Sequence, residues 1–108
     1  MNDKRTGNER KRIADLKKCF LTLEEIVPTI DKIGSGFDDT ENTALALLLY
    51  FKNRKVLDKL ANVRKIISLE LQSELTKNEF DEFIEQDIDY WKPPYGKNKS
   101  ELLKILKD

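Results

Sequence analysis

The side chains in this sequence that could do covalent or acid–base chemistry are a single cysteine and clusters of carboxylates. The 108 residues include no histidine, so the commonest general acid–base and the commonest transition-metal ligand are both missing. Cys19 is the only cysteine, so it can form neither an intramolecular disulfide nor a cysteine-rich zinc site. Its place beside Phe20 in an apolar periodic segment predicts a small buried side chain.

The glycines and carboxylates also fail to match known ligand-binding motifs. Glycines occur only at positions 7, 34, 36 and 96, which fits neither a phosphate-binding loop nor a dinucleotide fingerprint. The acidic stretch around residues 81–89 lacks the central glycine and closing glutamate of a calcium loop. The sequence therefore predicts no enzyme activity, no cofactor and no metal site.

The elements that would position any site are predicted to be helices in one small domain, residues 1–108. The chain is 37% charged with zero net charge and has only 4 glycines and 3 prolines, which favours an all-α protein. We expect residues 1–8 to form a flexible basic arm. The longest apolar run, residues 44–51, is far shorter than the ~20 residues that span a bilayer, and no secretory apolar segment follows the charged start. These features predict a cytoplasmic protein with no membrane partner.

Four pairs with capping spacing mark helix starts, and glycine or proline marks most of the ends. The pairs are Thr6 with Glu9, Asp38 with Glu41, Thr76 with Glu79, and Asn98 with Glu101. Pro28 predicts that the first helix ends near residue 27, and Pro93-Pro94 predicts that the helix from Thr76 ends after Trp91. Residues 40–75 contain no proline or glycine, so one long rod stays open beside our preferred pair of helices with a break near Asn53. The expected fold is a small antiparallel bundle of four main helices plus a short C-terminal helix.

Apolar residues at helical spacing predict a single core. In the first helix Ile13, Leu16, Phe20, Leu23 and Val27 recur at spacings of three and four. The predicted core consists of Leu16, Phe20, Leu23, Leu45, Leu48, Leu49, Leu60, Val63, Ile67, Phe80, Phe83, Ile84 and Ile88. Trp91 continues the last of these seams and is expected to pack in the core, and Leu48→Ala is expected to cost ~2–5 kcal/mol. The apolar run at 44–51 exceeds what a small bundle easily covers, which favours a homodimer.

Charge alternates in blocks along the chain, and the acidic block at 66–91 is the better candidate for a binding face. Oppositely charged helices packed side by side would explain the blocks structurally, whereas a functional interpretation has one block face a partner of opposite charge. The predicted partner-binding residues are Asp81, Glu82, Glu85, Asp89, Tyr90 and Tyr95. Acidic side chains with adjoining tyrosines favour a basic protein partner, and the protein would then act as an inhibitor, immunity factor or adaptor. This layout is similar to that of small helical immunity proteins that mask cationic nuclease toxins, although it matches no motif of theirs.

The alternative interpretation is nucleic-acid binding through a basic face made by residues 4–18 and 52–65. Its candidate residues are Arg10, Lys11, Arg12, Lys52, Arg54 and Lys55. Within it, the string YFKNRK at 50–55 resembles the recognition-helix signature of homeodomains, which implies that Asn53 reads adenine and that Arg54 lies near phosphate. We prefer the protein-binding interpretation, because zero net charge lacks the usual electrostatic footprint of a DNA-binding domain.

Overall fold

The fold is all-α, as predicted. A computed structural model describes residues 5–107 and shows five helices and no strand within that range. The helices are α1 (Gly7–Gly36), α2 (Thr40–Asn53), α3 (Val56–Glu74), α4 (Lys77–Asp87) and α5 (Lys99–Lys107). Residues 7 and 8 belong to α1 and not to a flexible arm, and the part of the predicted arm at 1–4 lies outside the described residues.

Helix α1 begins as predicted but does not end at Pro28. The Thr6 side chain accepts a hydrogen bond from the Glu9 backbone N–H at 3.1 Å, and the Glu9 carboxylate accepts one from the Thr6 N–H, which completes the capping box. The helix then continues through Pro28 to Gly36. Proline removes only its own N–H donor from the helix, and Ile26 and Ile33, on either side of it, are buried and partly buried. Packing on both sides of the proline therefore outweighs its local preference.

Residues 40–75 form two helices and not the single long rod that the sequence also allowed. The break falls at Arg54 and Lys55, one residue after the predicted position. Lys55 has φ 49° and ψ 49°, the left-handed conformation that bulky side chains seldom adopt. This turn joins α2 to α3 beside Glu25 of α1, which contacts both Arg54 and Lys59.

Helix α4 starts at the Thr76 capping box but ends at Asp87, earlier than predicted. Acidic side chains near a helix C-terminus oppose the helix dipole, and Asp87 and Asp89 both lie there. Pro93 also disfavours helical backbone in the residue before it. Residues 88–98 are therefore non-helical, and α5 begins after Asn98, whose side chain caps the Glu101 N–H at 2.9 Å.

The first three helices pack against one another, whereas α4 packs only on α3. Ion pairs give the direction of α1 and α3: Arg12 contacts Glu70 and Glu74 near the end of α3, and Glu25 contacts Lys59 near its start. These two helices are therefore antiparallel. Among the described residues, α5 packs on no other helix and is joined to α2 through the Lys99–Glu41 ion pair.

The predicted core was wrong in most of its members. The buried apolar side chains are Cys19, Ile26, Val56 and Val63, of which only Val63 was in the predicted core. Leu16, Phe20, Leu23, Leu45, Leu48, Leu49, Leu60, Ile67, Phe83 and Ile88 are exposed, and Phe80 and Ile84 are partly buried. The molecule measures 58 × 38 × 22 Å, so it is about two helices thick and each helix has a side that no other helix covers. The burial predicted for Cys19 is confirmed.

The chain exposes far more surface than a compact protein of its size. Its accessible area is 9700 Å², whereas a compact monomer of 12.6 kDa would expose about 6200 Å². The radius of gyration is 19.0 Å, against about 13 Å expected for 108 residues. A large apolar area is thus left open in the single chain.

Candidate protein-binding surface

An apolar groove of about 800 Å³ lies between α3 and α4. Its floor is formed by Ile67, Leu71, Phe80, Phe83, Ile84 and Ile88. These residues follow the helical spacing of both elements, so the two seams face each other where the helices diverge after the turn at Leu75 and Thr76. Phe83 and Ile88 remain 47% and 42% exposed, so the groove is open to an incoming side chain.

The rim of the groove differs in character between its two walls. Arg64 and Lys65 of α3 are exposed on one side, and Tyr90 lies beyond the end of α4. Sequence reasoning placed Arg64 and Lys65 in the alternative basic face at 52–65 and not beside an apolar groove, since it treated α3 as the wall of a closed core. The i, i+4 spacing of Ile67 and Leu71 identified the apolar side of α3, but it did not show that the other helices leave part of this side exposed.

The predicted acidic residues lie on the outer side of the same helix and just after it. Asp81, Glu82, Glu85 and Asp89 are all exposed, and none forms an ion pair with another residue in the range 5–107. Within the described residues, no ion pair neutralises their charge. Glu79 has a separate role, because the Thr76 backbone N–H donates to its carboxylate at 3.0 Å and holds its pKa below the ordinary value.

The aromatic residues after α4 are strongly exposed. Tyr90 is 81% and Tyr95 82% exposed, and Trp91 is 78% exposed, so the prediction that Trp91 packs in the core was wrong. Trp91 would have continued the α4 seam only if the helix had reached it, and α4 ends four residues earlier. Tyr95 lies on the turn that follows Pro93, where its backbone N–H donates to the Pro93 carbonyl at 2.8 Å, and it does not line the groove.

The structure divides the alternative basic set into two groups. Arg12 lies in the first half of α1, whereas Arg54 contacts Glu25 of α1 at 3.5 Å. Positions 12 and 25 are about 20 Å apart along the helix at 1.5 Å per residue. Arg10, Lys11 and Arg12 therefore do not form one patch with Lys52, Arg54 and Lys55.

Several of these basic side chains are also neutralised by carboxylates of neighbouring helices. Arg12 Nε lies 3.4 Å from Glu70 Oε2 and its guanidinium also contacts Glu74, which raises the pKa of Arg12 through the hydrogen bond and charge of Glu74. Lys11 contacts Asp15 at 3.2 Å on the same helix. This is the side-by-side packing of opposite charges that the block pattern allowed.

The string resembling a homeodomain signature does not occupy the middle of a helix. Asn53 is the last residue of α2, and Arg54 and Lys55 form the turn into α3. A recognition helix would instead carry these residues on one continuous face. The implied adenine contact by Asn53 therefore has no structural basis.

Residues 5–107 contain no group of three or more cysteine and carboxylate side chains placed to hold a metal ion. No helix in that range has the length and apolar character needed to cross a membrane. No protein-family model, curated protein or solved structure matches the chain.

Proposed function

We propose that this chain is a non-catalytic protein that acts by binding another protein, a basic one, through the groove between α3 and α4. The observation that carries the proposal is the open apolar groove beside a helix on which Asp81, Glu82 and Glu85 form no ion pair within the described residues. Grooves between two helices commonly receive the apolar face of an amphipathic helix. The partner would place such a face against Phe83 and Ile88.

The carboxylates on the outer side of α4 favour a partner segment with basic residues on that side, whereas Arg64 and Lys65 on the α3 wall of the groove disfavour basic side chains there. Asp81, Glu82 and Glu85 speed the encounter with a basic surface and disfavour acidic ones. Tyr90 at the end of the groove and Trp91 beside it offer large apolar surfaces with few rotatable bonds, which is typical of side chains that dominate binding energy. An inhibitor, an immunity factor and an adaptor would each bind through this surface.

Trp91 provides a built-in signal for the test, since it is the only tryptophan and is 78% exposed. The purified protein is titrated with an amphipathic Leu/Lys peptide, with a Leu/Glu peptide, and with mixed DNA and RNA at several salt concentrations. We expect the Leu/Lys peptide alone to shift the Trp91 fluorescence to shorter wavelength, because it covers the groove mouth. Salt-sensitive binding of nucleic acid without a peptide response would favour the alternative function.

Two matched double variants distinguish binding at the α3–α4 groove from a general effect of net charge. Glu82→Lys with Glu85→Lys reverses charge on α4, and Asp38→Lys with Asp58→Lys makes the same change in net charge elsewhere. We expect the first pair to abolish Leu/Lys peptide binding and the second to preserve it. Proteins that the wild type captures from a lysate should no longer be captured by the variant with Glu82→Lys and Glu85→Lys. Equal loss with both pairs would overturn the proposed surface.

A further inference from the structure

A strip of apolar residues runs along α1 next to the side that packs on α2 and α3, and much of its surface is exposed. This strip, here called the α1 seam, consists of Ile13, Leu16, Phe20, Leu23, Val27 and Ile30. Their spacings are three, four, three, four and three, the heptad pattern by which helices pair. Leu16, Phe20 and Val27 are 58%, 63% and 61% exposed. Ile30 joins the strip because the helix continues past Pro28.

The other helices of the described chain cover this seam only in part, since Leu16 lines a cavity with Ile66 and Ile67 of α3, and Leu23 and Ile30 are 37% and 36% exposed. The stripe by which α1 packs on its neighbours is a different one, marked by the buried side chains of Cys19 and Ile26. Helices α4 and α5 make no packing contact with α1. The excess surface of the whole chain, about 3500 Å² over a compact monomer, is spread over all the helices, and the α1 seam supplies part of the about 2000–5000 Å² that stable homodimers bury from both chains together.

The charges on α1 favour another copy of the same helix as the occupant. Residues 7–18 carry five basic and two acidic side chains, and residues 19–36 carry one basic and three acidic. Laid antiparallel, each basic half faces an acidic half, whereas a parallel pair would set like charges side by side. The heptad positions next to the seam repeat this order, with Arg10 and Lys17 followed by Glu24 and Asp31, and all four are exposed.

The seam spacing is also the same in both directions, which an antiparallel pair requires. With the two-fold axis passing between residues 21 and 22, Phe20 lies opposite Leu23 of the partner subunit and Leu16 lies opposite Val27 of the partner subunit. In the same register Lys17 lies beside Glu24 of the partner subunit. Every layer thus pairs two apolar residues, and the flanking contact joins opposite charges.

We propose that a second copy of this chain covers the α1 seam, with the two α1 helices antiparallel about a two-fold axis. This interface adjoins the α3–α4 groove, since Leu16 lines a cavity with Ile67 and Leu71, but Phe20 at its centre does not line the groove, so variants of Phe20 test the dimer alone. A symmetric contact of this kind closes on itself and yields a dimer and not a filament.

Sedimentation equilibrium over a range of concentrations tests the interface. We expect the wild type to have twice the 12.6 kDa mass of one chain. Phe20→Glu should give monomers, whereas Leu21→Glu, at a 70% exposed neighbouring position outside the seam, should still give dimers. Circular dichroism at the same concentrations reports whether each variant is folded. A wild type that stays monomeric, or a dimer indifferent to Phe20→Glu, overturns the proposal.

Charge exchange tests the antiparallel orientation. Lys17→Glu and Glu24→Lys should each weaken the dimer by about tenfold or more, because two-fold symmetry repeats each altered contact. Combining the two substitutions restores opposite charges in the antiparallel register and should restore dimerisation. Failure of the double variant to recover would overturn this orientation.

Discussion

At the scale of single residues, Ile26 and Leu48 differ in how far their side chains are buried. Ile26 is 2% exposed in the contact of α1 with its neighbours, whereas Leu48 is 64% exposed on α2. We expect Ile26→Ala to lower the free energy of unfolding by about 2–5 kcal/mol, because it leaves a cavity. Leu48→Ala should change it by about 0.5 kcal/mol or less, since no packed neighbours are lost.

Urea unfolding followed by circular dichroism at one protein concentration measures both variants. The sequence alone predicted a large loss for Leu48→Ala, and the exposed position reverses that expectation. A cost for Leu48→Ala as large as that for Ile26→Ala would show that the outer side of α2 is covered in solution.

Ionisation of Glu25 makes the free energy of unfolding depend on pH, in a direction that follows from its contacts. Lys59 Nζ donates to both Glu25 carboxylate oxygens, at 2.9 and 2.8 Å, and this hydrogen bond, with smaller effects of the Lys59 and Arg54 charges, lowers the Glu25 pKa below its ordinary 4.5. The folded state therefore binds this proton less tightly than the unfolded state. The resulting stabilisation is fully present above pH 4.5 and is lost as the pH falls through the folded pKa.

We expect Glu25→Gln to be less stable than the wild type at about pH 7 and to approach it as the pH falls below 4.5 and the wild-type carboxylate takes up its proton. Urea unfolding at several pH values measures the difference. Glu82→Gln is the control, because Glu82 is exposed and forms no ion pair within residues 5–107. A difference for Glu25→Gln that stays constant down to pH 3 would contradict a role for the Lys59 contact.

At the scale of elements, the turn between α2 and α3 holds a strained residue. Lys55 has a positive φ of 49°, which costs a residue with a side chain about 1–2 kcal/mol and costs glycine little. We expect Lys55→Gly to raise the free energy of unfolding by about 0.5–1 kcal/mol, after allowing for the greater flexibility of glycine in the unfolded chain.

Lys65→Gly is the matched control for this change, because Lys65 lies in the middle of α3. There the same replacement should lower stability by about 0.5–1 kcal/mol, since glycine is a poor helix former. Thermal unfolding of the two variants side by side gives the sign directly. Destabilisation by Lys55→Gly would indicate that α2 and α3 join without a left-handed residue.

At the scale of the whole molecule, the open arrangement predicts a small change in surface on unfolding. An unfolded chain of 12.6 kDa exposes about 18,300 Å², and a compact fold about 6200 Å², whereas this chain exposes 9700 Å². The dissociated chain should therefore show a urea m-value about 0.7 of that of a compact protein of equal mass.

Phe20→Glu, in dilute solution, provides the dissociated chain for this measurement. The wild type at high concentration should give a larger m-value per chain, because dimerisation covers more surface that unfolding then releases. An m-value for Phe20→Glu equal to that of a compact protein would mean that the helices close upon one another in the single chain.

The sequence by itself determined the helices and most of their starts, but the predicted cap of Asp38 with Glu41 was wrong by one residue, since Asp39 caps α2 by accepting from the Asn42 N–H. Thr6 and Thr76 begin helices through capping boxes that depend only on residues three apart, so local chemistry sufficed to predict them. The same holds for the apolar seams of α1 and α4, since helical periodicity assigns residues to one face. Helix ends were less predictable, because packing around Pro28 and charge near Asp89 decided them.

Only the tertiary structure decided which seams are covered. Periodicity places Phe20 and Phe83 on apolar faces but does not say whether the chain supplies a partner for that face. Here α1 turns Cys19 and Ile26 toward its neighbours, which leaves Phe20 exposed, and α4 packs on α3 alone, which leaves Phe83 half-open. The separation of Arg12 from Arg54 is likewise set by the antiparallel packing of α1 and α3. Burial depends on contacts between residues far apart in the chain, and local sequence patterns do not encode them.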